Sequence, residues 1–231
     1  MTNSAKHPLM KERDSWDGDL QRSRLRGFAR LRAVFWKRSL RLYEWWALRD
    51  KAWARELRRE LAREFQGVDP DDPGRVSDSS KVFGETPLLT VMSLLQLAQT
   101  LDPPEEFWDL GAGRGGVTLA AASCGFQATG VELEADWVER AQRVAERLHL
   151  PANFRKADFM ELAWPESAVV FVVATAFTPE LRRSILGKVL SLAKGSLLIA
   201  GDWTDVDGLE RHWAGRLPVD WGVIPFAVYR V

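Results

Sequence analysis

With 231 residues, 46% hydrophobic and 28% charged, the chain has the composition of an ordinary soluble protein, long enough for one α/β domain plus an extra segment, and no stretch reaches transmembrane length. A single cysteine, Cys124, excludes an intrachain disulfide and suits a reducing cytoplasm, while His7, His149 and His212 lack ligand-like spacing, so neither a metal site nor His-based catalysis is expected. The formal charge of zero conceals a division: residues 20–66 carry 14 Lys and Arg against 5 Asp and Glu, whereas residues 67–231 carry 15 against 23.

Residues 1–19 contain no apolar signal core and are expected to be a disordered lead-in to a cytoplasmic protein. Residues 20–66 place Phe28, Leu31, Phe35, Leu42, Trp46, Trp53, Leu57 and Leu61 at helical period with Arg and Lys opposite, which predicts one long basic amphipathic helix or two. Three roles stay open for it: a lid whose Trp-rich stripe packs on the acidic remainder of the chain, an arm that contacts nucleic acid or another polyanion, or a helix for a membrane surface or partner. The run Gly67-Val68-Asp69-Pro70-Asp71-Asp72-Pro73-Gly74 reads as turn-rich, which sets a linker at 67–80 and a main domain at 81–231.

A helix over Thr86–Leu101 precedes the most informative segment, Phe107–Thr118, FWDLGAGRGGVT. An apolar strand ends in Asp109, and a bend with glycines at 111, 113, 115 and 116 opens into a helix whose first N–H groups are unpaired. Gly111, Gly113 and Gly116 satisfy G-x-G-x-x-G, a spacing shared by dinucleotide enzymes and methyltransferases. Asp109 separates the two: a carboxylate at the strand end repels a diphosphate but suits the sulfonium and α-ammonium of S-adenosylmethionine. A second strand, Gln127–Glu132, ends in an acid 21 residues after Gly111, where a carboxylate accepts hydrogen bonds from ribose hydroxyls. Glu134 and Asp136 read as the charged first turn of a helix over Trp137–Leu148.

Phe154–Phe159 is a third short strand closing on Asp158 beside an aromatic, a pair that suits adenine, although Asp158 could equally cap a helical turn. The continuous apolar run Ala168–Phe177 is predicted as the buried central strand, and at its end Thr175 and Phe177 are candidates for an acceptor channel or simple packing. Phe83, Phe177, Trp203 and Tyr229 could build an aromatic entrance, each suiting a core position as well. Trp213–Leu217 and Val223–Val231, separated by Pro218, Asp220 and Gly222, predict a closing antiparallel hairpin. The resulting architecture is a Rossmann-like, doubly wound α/β fold: a mostly parallel sheet with a C-terminal antiparallel hairpin, preceded by a helical N-terminal segment.

Together these elements resemble the class I S-adenosylmethionine-dependent methyltransferases from about Val82 to Val231. Within that class, Val82-Phe83-Gly84-Glu85-Thr86-Pro87 looks like the V-Y-G-E-T segment of the histone-lysine methyltransferases named for disrupting telomeric silencing, and Phe171–Glu180 looks like that family's F-V-N-N-F-A-F-G-P-E. The resemblance implies S-adenosylmethionine as cofactor, with Glu85 and Thr86 at its methionine end, Asp109, Gly111, Ala112 and Gly113 along its backbone, Glu132 and Leu133 at the ribose, and Asp158 with Phe159 at adenine. Where that family has paired asparagines this chain has Ala174 and Thr175, and Phe83 replaces tyrosine, so the lysine-binding end is not reproduced. The expected activity is methyl transfer to an amine, with a protein lysine favoured. A small-molecule or RNA acceptor is the alternative, and a non-catalytic S-adenosylmethionine-binding adaptor is the alternative of another class.

Overall fold

The computed structural model describes residues 35–68 and 84–231. The expected lead-in 1–19, the Phe28 and Leu31 part of the stripe, most of the linker 67–80 and the channel candidate Phe83 lie outside the described residues.

Seven strands form one sheet in the order β3-β2-β1-β4-β5-β7-β6. The first five are β1 (Glu106–Leu110), β2 (Gln127–Glu132), β3 (Ala152–Lys156), β4 (Val169–Val173) and β5 (Leu197–Gly201), all parallel to one another. The last two, β6 (Glu210–Val219) and β7 (Gly222–Arg230), form a hairpin in which β7 runs antiparallel to β5. The β-branched run of β4 is paired on both edges, by β1 and β5, and buried through Val172, as a strand covered on both faces requires. The expected strand over Ala168–Phe177 is thus shorter, since the chain turns at Ala174, where Phe177 N donates to Ala174 O at 3.0 Å. Because β1 lies between β2 and β4, the chain winds outward in both directions from it, and a crevice opens at the carboxyl ends of these strands.

Alternation along β1 splits the core. Phe107 faces the layer that holds α3 (Leu88–Gln99), α4 (Gly116–Ser123) and α5 (Ala135–Arg147), whereas Trp108 faces α6 (Pro179–Leu190). Two glycines let α4 approach the sheet. A Cβ on Gly130 in β2 or on Gly115, the α4 N-cap at φ 82°, would sit 2.7 Å from the Phe154 ring.

The N-terminal segment forms two helices, α1 over 35–47 and α2 (Ala52–Glu64). On α2 the expected stripe does pack: Leu57 is fully buried, with Trp53 and Leu61 partly buried against the same core. Its electrostatics are the reverse of what net charge suggests. The acids Glu60 and Glu64 face the domain, where Arg147 Nε donates to Glu60 at 2.9 Å and Arg143 Nη2 and Arg147 Nη2 reach Glu64 at 2.8 Å. Burial pushes the Glu64 carboxyl up, but the hydrogen bonds from Arg143 and Arg147 outweigh it and hold the group below its ordinary value.

On α1 the packed face is shifted from the expected one. Trp36, Leu40, Glu44 and Leu48 turn inward, while Phe35, Leu42 and Trp46 are exposed. Trp36 Nε1 donates to Val219 O at 2.8 Å, and the Glu44 carboxylate accepts from Leu89 N at 3.1 Å, capping the N-terminus of α3, which has no side-chain cap of its own.

Removing buried volume under α2 tests whether this helix is part of the cooperative core. Leu57→Ala is expected to lower unfolding free energy by about 2–5 kcal/mol, read as a shifted urea midpoint. An unchanged midpoint would mean that α2 separates from the domain before it unfolds.

Candidate active site

At the carboxyl ends of β1, β2 and β4 lies a cavity of about 790 Å³ whose walls come from nearly every part of the described chain. Its floor is the loop after β1. Gly111 at φ 82° and Gly113 at φ 54° adopt the left-handed region that a Cβ disfavours, and a Cβ at Gly111 or Gly116 would meet nothing within 4 Å, so bare backbone faces open space. Gly115 differs, serving the packing on Phe154 rather than lining the cavity.

Glu132 ends β2 and ties the two loops together. Its Oε2 accepts from Gly113 N at 2.8 Å, and its Oε1 accepts from Leu133 N at 2.7 Å and Glu134 N at 3.1 Å. Asp109 sits one strand over, 3% exposed, with Thr118 Oγ1 donating to its Oδ2 at 2.7 Å. Burial, reinforced by the charge of Glu132 and opposed by the Thr118 hydrogen bond, raises the Asp109 carboxyl to about 7. A cationic ligand above the loop would draw that proton off, since opposite charge favours the carboxylate. The residues therefore fit S-adenosylmethionine, with backbone amides and a proton-poised acid for a zwitterion carrying a sulfonium, and a carboxylate at the second strand tip.

The opposite end of the cavity is built by three segments distant in sequence. Glu85 and Thr86 line it from the chain before α3, and Thr175 and Phe177 from the end of β4. Asp220 and Trp221 line it from the turn between β6 and β7. The turn is fastened to the first of these: Asp220 N donates to Glu85 O at 3.2 Å, and Trp221 covers Gly84 so closely that a Cβ there would collide with the indole. Burial and the charges of Glu85 and Glu44 raise the Asp220 carboxyl, against the pull of Lys37 and Arg41. From α1 and α2 come Leu40, Arg41, Glu44, Arg58, Leu61 and Phe65. Arg114, on the glycine loop, lies 5.2 Å above the Phe65 ring and donates to Glu85 Oε1 at 3.3 Å and to Val68 O at 2.8 Å.

Of the residues singled out in the sequence, Glu85, Thr86, Asp109, Gly111, Ala112, Gly113, Glu132, Leu133, Phe159, Thr175 and Phe177 all line this one cavity. Asp158 does not; it is exposed, and its Oδ1 accepts from Met160 N at 2.8 Å, the turn-capping role weighed for it. Trp203 and Tyr229, considered for an aromatic entrance, are buried in the core layer beneath α6. Phe177 instead pairs with Phe159, ring centroids 5.9 Å apart. Sequence reasoning missed the walls from Glu44, Phe65, Arg114, Asp220 and Trp221. Only the Asp220–Gly222 turn signal marked one of them, and that as a loop.

The Asp109 carboxyl gives a pH signature with a definite sign. Its folded value lies above the unfolded one, so the folded state holds the extra proton between about pH 4 and pH 7, and stability falls as pH rises through that window, at the limit by on the order of 4 kcal/mol. Asp109→Asn is expected to raise the unfolding midpoint at pH 8, with the gain shrinking as pH falls and vanishing below about pH 4, and to weaken S-adenosylmethionine binding at least tenfold at pH 8. A variant no more stable than the parent at pH 8 would refute the buried-carboxylate assignment.

Residues 107–195 match a family model described as a methyltransferase domain. No curated protein matches the chain. Among solved structures, an RNA methyltransferase from Salinibacter ruber in complex with S-adenosyl-L-homocysteine is 21% identical with a TM-score of 0.50, covering 64% of this chain and 93% of that one. Magnesium protoporphyrin IX methyltransferase from Synechocystis PCC 6803 with bound S-adenosylmethionine is 13% identical with a TM-score of 0.53, covering 74% and 89%. The N-methyltransferase NodS from Bradyrhizobium japonicum WM9 is 15% identical with a TM-score of 0.53, covering 63% and 97%. The sheet order, the glycine loop over its switch point and the matched domain converge: residues 107–195 match a methyltransferase domain, on a Rossmann-like fold shared with S-adenosylmethionine-dependent methyltransferases.

Proposed function

We propose that the enzyme methylates an amine nitrogen, with the side chain of a protein lysine as the favoured acceptor. The observation that carries this reading is the cavity wall where Asp220 stands close enough to Glu85 and Glu44 for their charges to raise its carboxyl, beside Trp221. Glu85 pairs with Arg114 and Glu44 with Arg58, so Asp220 is the acid that attracts a protonated amine, and the apolar lining favours the neutral form once it is inside. The segments Gly84–Pro87 and Thr175–Phe177, which resemble the telomeric-silencing lysine enzymes although Ala174 and Thr175 stand in place of their paired asparagines, line the same cavity.

In this reading Glu132 binds the ribose hydroxyls beside Leu133, Phe159 packs on adenine, and Asp109 with the amides of Gly111–Gly113 faces the methionine portion, reached also by Glu85 and Thr86. S-adenosylmethionine supplies a methyl group already activated for displacement, so the chain's own task is orientation, which can lower a barrier by roughly 7–11 kcal/mol. The amine must be neutral to attack. Asp220, with its carboxyl held above the ordinary range, is the group placed to take the amine proton, and Phe159 and Phe177 exclude water.

A small-molecule acceptor is the second reading, favoured by α1 and α2, whose side chains narrow the room available to a macromolecule. Cytoplasmic placement is part of the same proposal; among the described residues no helix is long and apolar enough to cross a membrane.

Incubating the full chain with cell extract and radiolabelled S-adenosylmethionine separates the readings. Label recovered as methyl-lysine after protein hydrolysis is the expected result, and label confined to the small-molecule fraction would transfer the assignment. Asp220→Asn should lower turnover about 10²–10⁴-fold and remove the acidic limb of the rate profile while cofactor affinity holds. Tight cofactor binding with no transfer to any fraction would favour the adaptor.

A further inference from the structure

The cavity accounts for one side of α1 and leaves the other without a structural partner among the described residues. On a helix, positions 35, 38, 42, 45, 46 and 49 fall on one face, opposite Leu40 and Glu44. That outer face presents Phe35 at 74% exposure, Leu42 at 70%, Trp45 at 60% and Trp46 at 56%, with Arg38 and Arg49 among them. Tyr43 stacks on Trp46 at 6.1 Å and Arg49 lies 5.6 Å above the Trp46 ring, so the aromatic groups form one patch. Helices that serve only to cover a core are polar outside, whereas this one is apolar on both sides.

We propose that this outer face of α1 docks on an anionic lipid surface. The charge is complementary. Residues 20–43 contain no Asp or Glu, and the one acid within α1, Glu44, is turned inward. Trp and Tyr with an apolar body and a polar edge, interleaved with Arg, match the boundary between headgroups and acyl chains, where apolar burial and electrostatic attraction act together. A nucleic acid would use the arginines but leave Phe35 and Leu42 in water, which makes lipid the better fit. Since Leu40 and Glu44 line the cavity from the inner face of the same helix, docking would bring the active site to about one helix diameter, ~10 Å, from the bilayer surface.

Flotation of the full-length chain with phosphatidylcholine vesicles, with and without phosphatidylglycerol, tests this. Binding only to the anionic vesicles, weakening as salt is raised, is the expected result. The triple variant Leu42→Ser, Trp45→Ser, Trp46→Ser should lose at least tenfold in partitioning, and Arg38→Gln with Arg49→Gln a comparable amount, both with S-adenosylmethionine affinity unchanged as the check on folding. Failure to float with anionic vesicles would overturn the proposal. So would floating that survives loss of the aromatic groups, or binding to a single-stranded RNA oligonucleotide in its place. A dimer dissolved by the triple variant in the absence of lipid would overturn it as well.

Discussion

Three backbone hydrogen bonds to one carboxylate set the geometry on which the cavity depends. Glu132 holds Gly113 of the first loop against Leu133 and Glu134 of the second, and each such bond to a charged acceptor contributes about 1.5–3 kcal/mol. Other bonds hold the first loop as well, from the Gly111 and Ala112 amides to Val131 O and from Arg114 to Glu85 and Val68, but it is Glu132 that joins the two loops. The contact beneath them is steric. Phe154 fills the space that side chains at Gly115 and Gly130 would occupy, which fixes how closely α4 lies on the sheet and therefore where its N-terminal amides point. The acid that ends β2 thus shapes the floor of the cavity under both loops.

That arrangement carries a cost in the free protein. Two carboxyls, Asp109 and Glu132, stand close enough for the charge of one to raise the other, and Asp109 is removed from water with a single hydroxyl donor in the structure, Thr118. The fold tolerates this because stabilisation lies elsewhere, in the Phe107–Phe171–Phe226 line of aromatic contacts through the core and in the Glu60 and Glu64 pairs with Arg143 and Arg147. The Glu64 pairs act with the opposite pH sign to Asp109, since a lowered carboxyl stabilises the folded state above its unfolded value and loses that contribution as pH falls through the folded one. Strain at the ligand floor and ion pairing under α2 therefore oppose each other across the acidic range.

Much of this was legible in the amino-acid order, and what was not has identifiable causes. The glycine loop, the acid ending β2 and the apolar run of β4 are local signals, because positive φ, ribose recognition and two-sided burial each dictate residue type at short spacing. The face of α1 was not legible. With Phe35, Trp36, Leu40, Leu42, Trp45 and Trp46 apolar around the whole circumference, periodicity cannot choose a side, and the buried one is marked instead by Trp36 Nε1 and the Glu44 carboxylate finding backbone partners at Val219 and Leu89. Net charge misled in the same way at α2: the sum over residues 20–66 is basic, yet the contact is made by its few acids, leaving Arg55, Arg59 and Arg63 to solvent. Asp220 and Trp221 could not be assigned to the cavity because their meeting with Gly84 and Glu85 spans more than half of the chain and is set by the hairpin's register.

These long-range contacts explain why similarity to known methyltransferases informs the cofactor more than the acceptor. The matched residues 107–195 contain the glycine loop, Glu132 and Thr175–Phe177. Leu40, Glu44, Arg58, Glu85, Asp220 and Trp221, which build the remaining wall, all fall outside that range. The wall is nonetheless one unit. Trp36 holds the hairpin at Val219, the hairpin holds Glu85 through Asp220, and Glu44 holds α3 at Leu89, so α1, the hairpin turn and the start of α3 can be displaced only together. Thr90 closes the circuit by donating to Pro218 O at 2.7 Å. In the proposed function, acceptor choice therefore resides in the segments that flank the matched domain on both sides. A change in α1 would be felt at Asp220 before it was felt at Glu132, because α1 is hydrogen-bonded to the hairpin and to the start of α3, while the Glu132 carboxylate is held by loops of the core.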